Sequence, residues 1–338
     1  MKRRWRGLLA GGACYLFLAG TTTGELSKYT IRGYAQGTDY TITYYAADSC
    51  IRKNTIDSVL RVIDTSMSLY KPYSLINKIN AGGKGRFELD SHFYNVLKKS
   101  FAIYRDSRGI FDITVAPLVQ LWGFGVKPVD HFPDSNEVRH VMDCVGMDKI
   151  RLKRYQLRKQ SPCVQIDLNG IAQGYSVDVL AELLENGGVA HYVVELGGEL
   201  RVKGPKPDGL PMRIGIERPS DDGSSGVGIS DVMEIREGAI TTAGNYRKFL
   251  QDGKRKFSHH IDPKTGYPFN TGIISATIYA KDAITADGYD NVIMAMEAGE
   301  AIRFVDKRRD MEVFVIYKDR SGMVRDTMSA GFKRLLAN

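Results

Sequence analysis

From residue 191 onward, short runs rich in β-branched and aromatic residues dominate the chain, at 191–196, 212–217, 231–235, 273–280 and 312–318. One long helical pattern interrupts them: residues 282–298 place Ile284, Ile293, Met294 and Met296 at helical spacing between the last two runs. A strand, a helix and a strand in succession predict a sheet with helices laid over it. Residues 29–36 and 40–46, rich in Tyr, Thr and Ile, flank Gly37-Thr38 and predict two further strands with a tight connection. Helices are predicted over 48–66, with Ile51, Val59, Val62 and Ile63 near one face, and over 91–105, with Phe93, Val96, Leu97, Phe101 and Tyr104. A third, over 170–185, carries Ile171, Val177, Leu180, Ala181 and Leu184 and stops at Asn186-Gly187-Gly188, where glycine can take the left-handed conformation. No fixed-period repeat is present, which excludes a solenoid or propeller. The fold class is therefore α+β, a mixed, largely antiparallel sheet covered by helices. Residues 204–210 and 218–228, rich in Gly, Pro, Asp and Ser, read as surface connections.

The formal charge of +8 points to an anionic partner only until its distribution is considered. Lys2, Arg3, Arg4 and Arg6 have no acidic counterpart in residues 1–20, which leaves 43 basic against 39 acidic groups in the remainder. Without a helix-turn-helix, zinc-finger or aromatic-platform motif, a nucleic-acid role has no support. The same basic start runs into the apolar stretch 8–19, too short to span a membrane well, and then into Gly20 and three threonines. Residues 1–20 thus read as an export signal, cleaved near Leu18-Ala19-Gly20 or kept as an anchor, and residues 21–338 as a single domain that divides at most into two subdomains. Cys14 is followed by Tyr15, Leu16, Phe17 and Leu18, the wrong arrangement for lipoprotein processing. Cys50, Cys144 and Cys163 remain, an odd number without a CxxC pair, so neither a disulfide framework nor a thiolate zinc site is expected.

Chemistry is suggested at four places. Asp287, Asp290 and Asn291 stand at i, i+3 and i+4 of a predicted helix and share one face. All three offer hard oxygen ligands suited to Mg²⁺ or Ca²⁺, while the plainer reading is an acidic helix start offsetting the dipole. Residues 258–268 form a strand feeding an Asp262-Pro263 turn. Adjacent His259 and His260 would point opposite ways, so a two-histidine metal pair is not expected. Residues 165–175 lead a strand into a helix through Asn169-Gly170, an entrance that either offers backbone N–H groups to a phosphate or is simply capped. Glu195-Leu196-Gly197-Gly198-Glu199 ends a strand with paired glycines, where a ligand or another backbone can approach. No phosphate loop, dinucleotide fingerprint, HExxH or GxSxG is found.

In their order along residues 37–336, these motifs resemble the ApbE family, the FAD:protein FMN transferases. The matching pieces are Gly37-Thr38, residues 67–74 with Asn77 and Asn80, 109–118 running into 121–125, 167–178, 195–198, 240–246, 259–268 and 286–291. The resemblance implies an ApbE-like, T-fold-like architecture and a flavin-nucleotide site formed by Tyr70, Ile110, Phe111, Asp112, Asn169, Tyr175 and Ile261. It also implies a magnesium site formed by the backbone carbonyl of Ala172 with Asp287, Asp290 and Asn291. Gln36 stands where the family often has Met, Asn291 where it often has Thr, and Gln173 where Lys or Glu is common.

The activity so implied is Mg²⁺-dependent transfer of FMN from FAD to a Thr or Ser hydroxyl of an acceptor flavoprotein, with release of AMP. Respiratory membrane subunits are the type of acceptor the family suggests. Charge on the phosphoryl oxygens dominates such a barrier, which is why a metal held by Asp287 matters and why His259, titrating near neutrality, is the candidate base. His260 or a carboxylate remains an alternative for that role. Rival readings are an FAD pyrophosphatase using water as nucleophile and an exported carrier that binds FAD without reacting. The expected location is periplasmic, with or without anchoring to the inner membrane.

Overall fold

The computed structural model describes residues 25–219, 227–245, 249–252 and 255–337. The leader with Cys14, Tyr246, and positions 220–226 of the expected 218–228 connection lie outside the described residues. Eight strands form the main sheet: β1 Ser27–Ala35, β2 Thr38–Ala46, β3 His191–Leu196, β4 Glu199–Lys203, β5 Glu237–Gly244, β6 Ile273–Ala280, β7 Met311–Lys318 and β8 Val324–Met328. Their order across the sheet is their order in the chain, and every neighbouring pair is antiparallel. Gln36 and Gly37, at φ 53° and 80°, make the left-handed two-residue loop that lets β1 fold back on β2.

Side-chain alternation then decides what covers each face. Along β7, Val313 and Val315 belong to a core shared with helices, whereas Phe314 and Ile316 enter a separate core on the opposite face. The helical side holds α1 Lys53–Met67, α2 Ser91–Asp106, α3 Ala172–Asn186, α4 Ala283–Met294 and α5 Ala298–Asp306. The other face is covered by a two-stranded hairpin, Met212–Pro219 with Val227–Ile235, and by Phe332. A smaller antiparallel sheet of Gly85–Glu88, Gln156–Lys159 and Ile150–Lys153 is anchored to the helical core by Ile150 and Leu157. No helix of the described residues is long and apolar enough to cross a membrane.

The α+β expectation holds, and strands 191–196 and 273–280 match to the residue. Three details differ. α1 starts at Lys53 and buries Ile56, Leu60 and Ile63, which turns Val62 outward; Ile51 is buried ahead of the helix. The helix expected over 282–298 ends at Met294, because Met296 must turn into the core before α5 can begin. Cys144 and Cys163, 5.3 Å apart at Cα, are joined by a disulfide, contrary to the expectation drawn from an odd cysteine count. Only the fold brings these two together, at a sequence separation of 19, and Cys50 is left free and exposed.

Candidate active site

α4 is buried on almost every side, so its polar residues are buried as well. The Asp282 side chain caps it by accepting the Thr285 N–H at 3.0 Å. Asp287 and Asp290 therefore lie beyond the first turn and are not the acidic helix start that their spacing alone allowed. Each is 4% exposed. Asp287 Oδ2 accepts the Gly174 N–H at 2.7 Å, and a Cβ on Gly174 would lie 2.4 Å from the Ala283 carbonyl oxygen. Only glycine allows the start of α3 to approach α4 this closely. Asp290 accepts from the Thr241 hydroxyl at 3.2 Å and from the Asn291 amide at 2.8 Å. The same Asn291 nitrogen donates to the carbonyls of Gly170 and Asp287, at 3.1 and 3.0 Å.

The electrostatics follow from this burial. Desolvation pushes the Asp287 carboxyl up to about 7, against the Gly174 hydrogen bond and with help from the charge of Asp178. Desolvation, then the charges of Asp287 and Glu199, raise Asp290 well above the carboxylate range. The hydrogen-bond partners of both groups are neutral. Two buried carboxylates and an amide form a donor set that suits a hard divalent cation, which would favour their ionised forms.

The entrance to α3 has no side-chain cap at its N-cap residue, Ile171. Its Ala172 N–H is taken by the Leu168 carbonyl at 2.9 Å and its Gly174 N–H by Asp287, so the helix start serves a carboxylate of the chain itself. The Ala172 carbonyl accepts the Ser176 hydroxyl at 2.9 Å, and that hydroxyl accepts the Gln36 amide at 2.9 Å. Gln36 thus fastens the β1–β2 turn to α3. A Cβ on Gly197 would lie 3.0 Å from the Gln173 amide, which brings the paired-glycine turn against the same helix start.

The histidines depart from the alternation expected of a strand. The short strand Arg255–Ser258 ends before them, and their ring centres lie 4.0 Å apart at 40°. His260 is buried; its Nδ1 lies 3.1 Å from both Asn245 Oδ1 and Ser258 Oγ, and desolvation, then the charge of His259, push it well below its ordinary value. His259 is half-buried, 6.2 Å from the Phe124 ring. β5 connects the two clusters. Thr241 touches Asp290 and Asn245 touches His260, four residues apart on one face of an extended chain and so about 13 Å apart along it.

The other expected contacts are dispersed. Tyr70 is 65% exposed in a loop that Asn77 holds through the carbonyls of Leu69 and Lys71, at 3.0 and 2.9 Å. Ile110 is half-buried and Phe111 buried. Asp112 has both oxygens engaged, Oδ1 by the Thr114 N–H and hydroxyl at 2.7 and 2.5 Å and Oδ2 by the Met147 N–H at 3.2 Å. Asn169 is exposed just ahead of α3, the Tyr175 hydroxyl lies 2.9 Å from His92 Nδ1, and Ile261 is buried with Trp122 and Val138. Sequence reasoning assigned no role to Thr241, Asn245 or Asp178. The first two stand in the 240–246 motif and Asp178 ends the 167–178 motif, but the partners that give Asp178 its part, Arg201, Ala283 and Ile284, are remote in the chain.

The model of the ApbE family matches residues 36–315. A FAD:protein FMN transferase of Vibrio cholerae is 33% identical over 99% of both chains, and one of Haemophilus influenzae is 32% identical over 92% of both. The solved structure of a flavin transferase ApbE from Vibrio cholerae superimposes with a TM-score of 0.83 at 33% identity, covering 92% of this chain and all of that one.

Proposed function

Because the chain belongs to the ApbE family, we propose that it is an enzyme that moves the FMN half of FAD onto a Thr or Ser hydroxyl of an acceptor protein and releases AMP. The observation that carries this reading is the pair Asp287 and Asp290, two carboxylates enclosed in a helix with neutral partners. With Asn291 and the backbone carbonyl of Ala172 they would hold Mg²⁺, which when bound offsets the charge that develops on the phosphoryl oxygens. Gly174 and Thr241 keep the two carboxylates in place. His259 is the proposed base for the acceptor hydroxyl, its ring set against a neutral His260 that Asn245 and Ser258 fix. Tyr70 offers an exposed ring for stacking, with Ile110, Phe111, Asn169, Tyr175 and Ile261 as further nucleotide contacts. Asp112 belongs to the same set of nucleotide contacts, and its bond from the Met147 N–H holds the neighbouring loop. Export to the periplasm, with the leader as signal or inner-membrane anchor, is part of the proposal; the Cys144–Cys163 disulfide supports an oxidising compartment.

The test is incubation with FAD, Mg²⁺ and a Thr-containing acceptor, read by acceptor mass and in-gel flavin fluorescence. Transfer adds FMN to the acceptor and yields AMP in equal amount, and Asp287→Ala lowers the rate by roughly a thousandfold while the protein stays folded. FMN released with no labelled acceptor would make the protein a hydrolase. Full activity of Asp287→Ala would remove the metal from the mechanism.

A further inference from the structure

Away from these residues, the small sheet carries a charge arrangement that the flavin chemistry does not use. Its register sets Arg86 opposite Arg158 and Arg158 opposite Arg151, so three arginines stand in a row across three adjacent strands. All three are exposed, while Leu157, on the opposite face, is fully buried in the core. The next row is Glu88, Gln156 and Lys153, and the Gln156 amide already donates to Glu88 at 2.5 Å. Arg154 and Tyr155 form the turn at one end, Tyr155 being 51% exposed with its ring 4.5 Å from that of Tyr94. Together these side chains line a shallow concavity of about 720 Å³ in which Glu88 is the single acid.

Like charges placed directly opposite one another weaken a sheet, and among the described residues none of the three arginines is paired with a carboxylate. The face is also held firmly. The Cys144–Cys163 disulfide brackets two of its strands, and the buried Lys159 ammonium donates to the carbonyls of Ile79 and Gly82 at 3.0 and 2.8 Å. A rigid, nearly flat row of guanidinium groups matches a plane of phosphates, because each planar fork can take one phosphate bidentately. An aromatic ring with a polar tip beside the row is the residue type that settles at a lipid headgroup interface. A buried apolar anchor, which a protein partner would need, is absent from the lining.

We propose that this arginine ladder docks the protein onto an anionic phospholipid surface. The ladder brings the folded domain against the membrane beside which the leader is expected to leave it. The inference does not depend on the flavin reaction, and its test leaves that site untouched.

The full-length chain is sedimented with vesicles of phosphatidylcholine alone or of phosphatidylcholine with phosphatidylglycerol, over a series of salt concentrations. The wild type binds the anionic vesicles more tightly, and this preference falls with salt. The triple variant R86Q/R151Q/R158Q loses about a hundredfold of that binding, at about fivefold per arginine. Both proteins bind neutral vesicles equally, the basic leader, common to both, cancels in the comparison on anionic ones, and the variant melts no lower than the wild type because the cross-strand repulsion is gone. Equal binding of variant and wild type to anionic vesicles overturns the proposal, as does a wild type with no preference for them. Capture of soluble polyglutamate without vesicle binding assigns the face to a protein partner and overturns it too.

Discussion

His260 shows how a single side chain can acquire a role that its sequence neighbourhood conceals. Two adjacent histidines suggested a strand with one ring on each face, yet the chain leaves the strand at Ser258 and the rings meet. Enclosed against Asn245 and Ser258, the His260 imidazole is held neutral by burial and, secondarily, by the charge of His259. Its folded-state value lies below that of the unfolded chain, so as the pH falls below the ordinary histidine range the unfolded chain takes up a proton that the folded chain refuses. Stability contributed by this group is therefore present above that range and is lost on acidification, at about 1.4 kcal/mol per pH unit. Between about pH 7 and about pH 5, urea midpoints of the wild type should fall more steeply than those of His260→Gln, with the difference attributable to this ring. Equal slopes would show that the imidazole protonates freely in the folded protein.

At the scale of elements, the site depends on how α3 and α4 are joined. Asp178, on α3, accepts the N–H groups of Ala283 and Ile284 at 2.9 Å each and so serves the start of α4, while Arg201 on β4 donates to it at 2.8 Å. Burial raises the Asp178 carboxyl, and these hydrogen bonds and the arginine oppose the rise. Asp178→Asn keeps the size of the side chain but leaves Arg201 only the more distant carboxylate of Glu185, at 3.6 Å, and we expect a loss of about 3 kcal/mol in urea unfolding. In the double variant with Arg201→Gln, the combined loss should fall short of the sum of the two single losses; strict additivity would show that the pair does not interact. Helices α1, α2 and α3 were legible because their apolar residues repeat at helical spacing, as were the Tyr- and Val-rich strands β1, β2 and β3. β4 and β5 were not, since Glu237-Gly238-Ala239 opens β5 with residues poor in strand preference and only its pairing with β4 and β6 makes it a strand. The spacing of Asp287, Asp290 and Asn291 was visible in the sequence. Their burial, which gives the cluster its electrostatic character, depended on a helix enclosed by its neighbours.

Across the whole molecule, the Cys144–Cys163 bond fastens the segment that carries two of the three ladder arginines and leads on to the start of α3. Within its span, Gly146 donates to the Thr114 hydroxyl at 2.7 Å and Met147 to Asp112 at 3.2 Å, which ties the loop to the 109–118 motif. Just beyond it, Ile166 exchanges hydrogen bonds with Asn80 at 2.7 and 2.9 Å, and the chain then delivers Asn169 and Gly170 to the start of α3. Counting cysteines could not reveal this pairing, because an odd total allows one bond and one free thiol as readily as three free thiols. A closed loop of this length stabilises by about 3 kcal/mol, chiefly by restricting the unfolded chain. Reductant should therefore lower the melting temperature of the wild type and of Cys50→Ser alike, and leave Cys144→Ser/Cys163→Ser, already lower, unchanged. The same double variant should lose flavin transfer less than it loses stability, since the hydrogen bonds of Asp112 and Asn80 still hold the segment once the covalent bond is gone. A wild type indifferent to reductant would mean that the two thiols are not joined in the folded protein, and the support they lend to an oxidising compartment would go with them.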